Sequence, residues 1–255
     1  MVSPAWGTNA QEVIVSIEAS LWHVKFLSNS RTALIVGTTG LIGGHCLTAL
    51  LNDPAYSKVI SVTRRELKVS HAKLISVCAD FDQISALSHR AEFQNSEIDD
   101  VFCCLGTTIK AAGSKEAFYK VDYTYSLEFA KLAHHLHAKR FLVVSSLGAD
   151  RSSKIFYSKV KGELEQALRG VGFESLKIFQ PSLLLGERAQ VRMGETIAQK
   201  VLPPLSFLFL GPLKKYAAIR ATDVARAMLT IAKRDTSGIE VFQSDQIQDL
   251  VSVLS

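Results

Sequence analysis

The chain has 255 residues, 47% hydrophobic and 21% charged, with a net charge of +5, which fits one large α/β domain with a filled core. Its Lys and Arg are scattered, with no basic stripe interleaved by aromatics, which excludes a nucleic-acid surface and leaves part of the excess to a basic pocket. Cys46, Cys78, Cys103 and Cys104 form no CxxC pair and read as reduced core thiols rather than a disulfide framework.

Residues 1–30 are mixed, with Glu12 and Glu18 and no sustained apolar run. They read as an N-terminal extension without an assigned role, carrying neither an export nor a transit pattern, so a cytoplasmic protein is expected. From residue 31 onward, strand-like and helix-like segments alternate. The pattern predicts a doubly wound parallel sheet, the Rossmann fold, over residues 31–255 with a small C-terminal elaboration.

Ala33–Val36 is the first strand and Leu41–Leu51 its helix. Between them Gly37, Gly40 and Gly43 have the spacing that lets a backbone turn tightly and approach a pyrophosphate, with the helix N-terminus presenting free N–H groups. A structural strand–helix turn is the plainer alternative. Lys58–Thr63 is the second strand. Arg64 and Arg65 follow it, with no acid until Glu66. Paired guanidinium groups at the adenosine end suit a 2′-phosphate better than a hydroxyl pair, so NADPH is expected over NADH. The alternative is a solvated basic turn. Lys73–Cys78 is the third strand, which places Asp80 and Phe81 near an adenine, and a helix is predicted around Ile84–Arg90. Asp100–Leu105 is the fourth strand and would carry Leu105 and Gly106 beneath the adenosine ribose.

A long helix is predicted from Ser114 to His137. His134, His135 and His137 read as its solvated end rather than as a metal site. Strand five, Arg140–Ser146, ends in Ser145 and Ser146, whose hydroxyls suit a substrate carbonyl oxygen. The amphipathic Ile155–Leu168 segment, with Gly170 beyond it, carries Tyr157 and Lys161 at i and i+4 on one face. A free phenol titrates near pH 10, and a neighbouring ammonium favours the phenolate, which turns such a pair into an acid and base usable near neutrality. Leu176–Phe179 is strand six, stopped by Pro181. Val201–Leu213, broken by three prolines, is too short to span a bilayer. It reads as a buried or partner-covering loop, with room for weak contact at a membrane surface. Thr222 is the expected N-cap of a helix to Lys233, and Asp223 a first-turn charge.

On these residues the chain resembles the short-chain dehydrogenase/reductases. The segments Val101–Thr108, Val144–Asp150, Tyr157–Glu163 and Pro181–Arg188 are similar to the atypical group that includes the Tat-interacting oxidoreductase and its bacterial relatives. The resemblance covers about residues 31–235. It implies Tyr157 as proton donor, Lys161 on the nicotinamide ribose, and Ser146 (or Ser145) orienting the substrate. It also implies Thr39, Gly40, Leu41 and Ile42 at the pyrophosphate, Leu184 by the nicotinamide, and Arg192 reaching the cofactor. Arg188 and Arg192 read equally well as solvated loop charges.

Two departures qualify the likeness. CCLGTT stands where many short-chain enzymes have an Asn-Ala-Gly turn, so an Asn-based proton relay does not carry over. The chain after strand six is short for a nucleotide-sugar pocket, which weighs against an epimerase or dehydratase. The expected function is hydride transfer between NADPH and a small carbonyl or alcohol. The second reading is an NADPH-loaded sensor or scaffold that regulates a partner. A homodimer through the helix from Ser114 and the helix bearing Tyr157 is implied by analogy alone.

Overall fold

The computed structural model describes residues 30–94, 96–186 and 211–252. Seven strands form one sheet: β1 (Arg31–Val36), β2 (Tyr56–Thr63), β3 (Leu74–Cys78), β4 (Asp100–Cys103), β5 (Arg140–Val144), β6 (Ser175–Gln180) and, later in the chain, β9 (Gly238–Gln243). Their order is β3-β2-β1-β4-β5-β6-β9, and every neighbouring pair is parallel. A two-residue pair, β7 (Leu184–Leu185) with β8 (Ile219–Arg220), stands apart from it.

The inner strands are buried on both faces, as crossover helices on both sides require. Along β1, Ala33 and Ile35 enter one apolar cluster and Leu34 and Val36 the other, the period-two alternation of a strand. The first cluster is closed by α1 (Leu41–Asn52), α7 (Ala221–Ala232) and α8 (Ser244–Ser252). The second is closed by a 3-10 helix (Phe81–His89), α5 (Ser126–His135) and α6 (Phe156–Arg169). Strand order reverses between β1 and its neighbours β2 and β4, and at that switch the turns after all three strands open on one edge, the usual seat of ligands in such sheets.

Several predicted elements shift. The helix expected at Ile84–Arg90 is instead the 3-10 helix, broken at Gln83. It starts early because the Asp80 carboxylate accepts from the Asp82 amide at 3.0 Å; a short α2 (Ala91–Gln94) follows. A single turn, α3 (Ile109–Ala112), precedes the long helix. That helix is capped by Ser114, which accepts from the Ala117 amide at 3.1 Å. It runs as α4 (Lys115–Tyr119), a π-helical stretch (Lys120–Tyr125) and α5, with helical backbone across both joins. Thr222 is not an N-cap: α7 begins at Ala221 after Arg220, whose guanidinium donates to Asp223 at 2.9 Å. The expected C-terminal elaboration proves to be the sheet's seventh strand and α8.

Candidate active site

Gly37 sits at φ +84°, and a Cβ there would collide with the Cys104 carbonyl. A Cβ on Gly43 would collide with the Gly37 carbonyl. These two glycines therefore let β1, the turn and α1 pack at backbone contact, while Thr38 is pinned to β2 through a 3.1 Å hydroxyl pair with Ser61. The N-cap of α1 is Gly40, which offers no side-chain cap, and the first turn holds no acid. Leu41, Ile42 and Gly43 lie in that first turn, so the helix presents backbone donors without a capping side chain.

A cleft of about 460 Å³ opens on this turn, within the range of small-molecule sites. Of the expected residues, Gly37, Thr39, Gly40, Arg64, Arg65, Phe81, Leu105 and Gly106 line it. The Thr63 hydroxyl donates to the Arg65 carbonyl at 2.6 Å and so shapes the arginine turn. The Arg64 guanidinium lies 5.8 Å from the Phe81 ring centroid, a cation–π wall across the cleft. Asp80 is not part of the lining; its carboxylate is spent on the 3-10 cap. Leu184 belongs to β7 and packs on the first apolar cluster. The adjacent Gly186 lies close against the Leu41 side chain at the mouth of α1. Arg192, Arg188 and Val201–Leu210 lie outside the described residues.

Lys161, Tyr157 and Ser146 are not part of that lining; Lys161 stands behind Gly106. Its ammonium is 3.9 Å from where a Gly106 Cβ would be. It is 3% exposed and 2.6 Å from Asp122 Oδ1. Burial penalises the ammonium, but Asp122, Tyr157 and Cys103 outweigh that penalty and hold its pKa above the ordinary lysine value. Tyr157, one turn earlier on α6, is half-buried with its ring 5.5 Å from the fully buried Phe118 of α4. Gly162 follows Lys161 because a Cβ there would strike the Asp150–Arg151 backbone. The loop after β5 is thereby packed directly on the catalytic-candidate helix.

The two serines separate. Ser145 is buried and donates to the Glu165 carboxylate. Glu165 also accepts from Gln180 Nε2 at 2.9 and 3.1 Å. Ser146 is half-buried, and among the described residues its hydroxyl makes only a 3.4 Å contact with the Leu147 carbonyl. Of the two, Ser146 has the less engaged hydroxyl. Sequence reasoning missed Asp122, Phe118 and Glu165, since acids and aromatics in amphipathic helices carry no distinguishing signal. His134 packs edge-on against Phe173 at 5.7 Å, and His137 takes φ +57° in the turn closing α5.

The description "NAD dependent epimerase/dehydratase family" matches residues 33–161. The chain is 32% identical to protein HTATIP2 of Rattus norvegicus over 88% of its own length and 91% of the relative's. It is 35% identical to the mitochondrial protein fmp52 of Emericella nidulans over 65% and 72% of the two chains. An ADP-L-glycero-D-manno-heptose-6-epimerase of Helicobacter pylori superposes with a TM-score of 0.62 at 17% identity, covering 89% and 81%. At that identity the likeness shows the fold alone. The cytoplasmic expectation is overturned by the relatives: fmp52 of E. nidulans and of Candida albicans are both named mitochondrial. That expectation rested on residues 1–30, of which 1–29 lie outside the described residues, and an import address is read by a receptor rather than built into the fold. With a parallel seven-stranded sheet, a glycine turn at its switch point and these relatives, the chain belongs to the NAD dependent epimerase/dehydratase family and, within it, to the atypical short-chain dehydrogenase/reductases of the HTATIP2 group.

Proposed function

We propose that the protein is an NADPH-dependent oxidoreductase acting on a small carbonyl or alcohol, with Tyr157 as proton donor and acceptor. The observation that carries this reading is the place of Gly106, between the cleft and the Lys161 ammonium. Gly106 lines the cleft together with the Arg64/Arg65 turn and the glycine turn, and a Cβ on it would come within 3.9 Å of the Lys161 ammonium behind it. The residues fit a dinucleotide: backbone packed too closely for any Cβ at Gly37 and Gly43, and a helix N-terminus without a capping side chain.

The amides from Gly37 to Ile42 would hold the diphosphate, where the helix dipole favours negative charge. Arg64 and Arg65 would grip a 2′-phosphate, with Arg64 and Phe81 bounding the adenine. Lys161 would bind the nicotinamide ribose; Leu184 and Arg192 are assigned to the same end by resemblance. When bound, the nicotinamide supplies or accepts a hydride. Tyr157 gives the substrate oxygen its proton in reduction and removes it in oxidation, with the Lys161 charge favouring the phenolate left behind. Ser146 donates to the same oxygen and fixes its direction. Phe118 holds the Tyr157 ring from the side.

The fungal relatives' names support a mitochondrial location, which a fluorescent fusion of the full chain would test by co-localisation. The function is tested by fluorescence titration with NADPH and NADH, followed by a panel of carbonyl compounds with NADPH absorbance as readout. Binding of NADPH at least about tenfold tighter than NADH, a difference of about 1.4 kcal/mol, is expected, and should vanish in Arg64→Ala/Arg65→Ala. Equal affinities would refute the arginine assignment, and binding without turnover on any carbonyl would refute the enzyme.

A further inference from the structure

Lys161 and Asp122 come from helices joined only through the fold, and Asp122 sits in the one π-helical stretch among the described residues. Such wide turns cost regular hydrogen bonding and occur mostly as single inserts at functional sites. Asp122 is 1% exposed. Its Oδ1 meets the Lys161 ammonium at 2.6 Å, and its Oδ2 accepts from the Thr107 amide at 2.9 Å. Both contacts lie beside Gly106, whose added Cβ would come within 3.6 Å of Oδ1. The carboxylate thus bridges the cleft lining and the helix that carries Tyr157. A buried ion pair gives little stability over a well-packed apolar pair, so stability alone is a poor reason for one here.

We propose that Asp122 is the positioning residue of this site: its two oxygens lock the Lys161 ammonium to the Gly106–Thr107 turn and supply the buried counter-charge that keeps it an ammonium. That role presupposes Tyr157 and Lys161 as the reacting pair and the cleft as the dinucleotide seat proposed above. The groups acting on Lys161 are Asp122 from the π stretch, Tyr157 from its own helix and Cys103 from β4. Burial pushes the Cys103 thiol up to about 12, which leaves it neutral near pH 7. Asp122 is therefore the carboxylate among these groups, and without it desolvation of Lys161 stands unopposed by any full negative charge at that pH.

The test uses the full-length, cofactor-free protein labelled with ¹⁵N. The Nζ resonance of Lys161, assigned by its loss in Lys161→Arg, is followed against pH. The unmodified protein should keep this group charged above the ordinary lysine midpoint of about 10.4, and Asp122→Asn, nearly isosteric, should lower the midpoint by at least about 2.5 pH units, to about pH 8 or below. NADPH titrations near pH 6.5 and pH 9 should show Asp122→Asn losing at least about tenfold more affinity over that interval than the unmodified protein. An unchanged midpoint in Asp122→Asn overturns the role. So does an unmodified Lys161 titrating at or below the ordinary value, a measurement that stands even if the variant fails to fold. Absence of NADPH binding to the unmodified protein would sink the dinucleotide reading. Failure of the Asp122 role shows differently, as tight unmodified binding that Asp122→Asn retains equally at both pH values.

Discussion

Gly43 and Gly44 are adjacent in α1, yet alanine should act on them with opposite sign. Each substitution gains about 1 kcal/mol of helix propensity. At Gly43 the new Cβ would overlap the Gly37 carbonyl and come within 3.0 Å of the Thr38 amide. All of these atoms are backbone and cannot rotate away, so overpacking costs about 3 kcal/mol, the upper part of its usual range. The net loss is about 2 kcal/mol. At Gly44 the new Cβ meets, among the described residues, only the Thr38 carbonyl oxygen, at 3.4 Å, an ordinary contact, and the net is a gain of about 0.5–1 kcal/mol. For a chain of this size these become a melting temperature lowered by about 4–8 °C in Gly43→Ala and raised by about 1–4 °C in Gly44→Ala. Relief of the Gly43 clash must push α1 from β1 and displace the turn, so NADPH affinity should fall about tenfold or more in Gly43→Ala and stay within about twofold in Gly44→Ala. Calorimetry and NADPH fluorescence titration read both effects. Equal melting temperatures for the two variants would refute the packing argument. A destabilised Gly43→Ala with intact NADPH affinity would separate the turn from the ligand.

Tyr157→Phe should lose carbonyl reduction by about a hundredfold or more, the usual worth of a positioned acid, while keeping NADPH affinity in the same fluorescence titration; an active Phe variant refutes the assigned proton transfer. Ser146→Ala should lower kcat about tenfold or more with little change in melting temperature, as expected of a donor to the reacting oxygen. Ser145→Ala should instead destabilise by about 1–2 kcal/mol, because buried Glu165 loses a donor, and the reverse pattern in denaturant and kinetic measurements would reassign the serines. Burial foremost, then the Asp100 charge and hydrogen bond, raise the pKa of Tyr56 far above its ordinary value. The unfolded chain releases that proton above about pH 10 and the folded one does not, so the contribution is whole below about pH 10 and shrinks as pH rises, by about 1.4 kcal/mol per unit. Denaturant titrations should show Tyr56→Phe with a shallower alkaline decline, and equal slopes would contradict the buried-phenol account.

The sheet was legible because its strands are covered on both faces, which leaves uncharged runs such as Val101–Cys103, and because a turn holding Gly37, Gly40 and Gly43 admits few other uses. The edge strand β9 was not: Gly238–Gln243 is exposed at its start and half-buried after it, with Glu240 in its middle, so its apolar pattern is diluted. Of the site, the ends of strands announced themselves through residue type, as with Arg64 and Arg65. What escaped depends on distant partners. Ser145 differs from Ser146 only through Glu165 and Gln180, and the π stretch that sets Asp122 has no signature in Lys120–Tyr125 itself. Thr222 outscores Arg220 as a cap by residue type, but the burial of Ala221 and Val224 fixes where α7 begins.

The seventh strand has a practical consequence. Gln243 donates to Gln180 at 3.5 Å, Gln180 to Glu165, and Glu165 lies one helical turn beyond Lys161. A shortened version ending before Gly238 would strip the outer rail from β6 and slacken the strut behind α6, although none of residues 238–252 lines the cleft. Anyone trimming or tagging this protein should treat β9 and α8 as part of the frame behind the candidate site and attach fusions after Ser252.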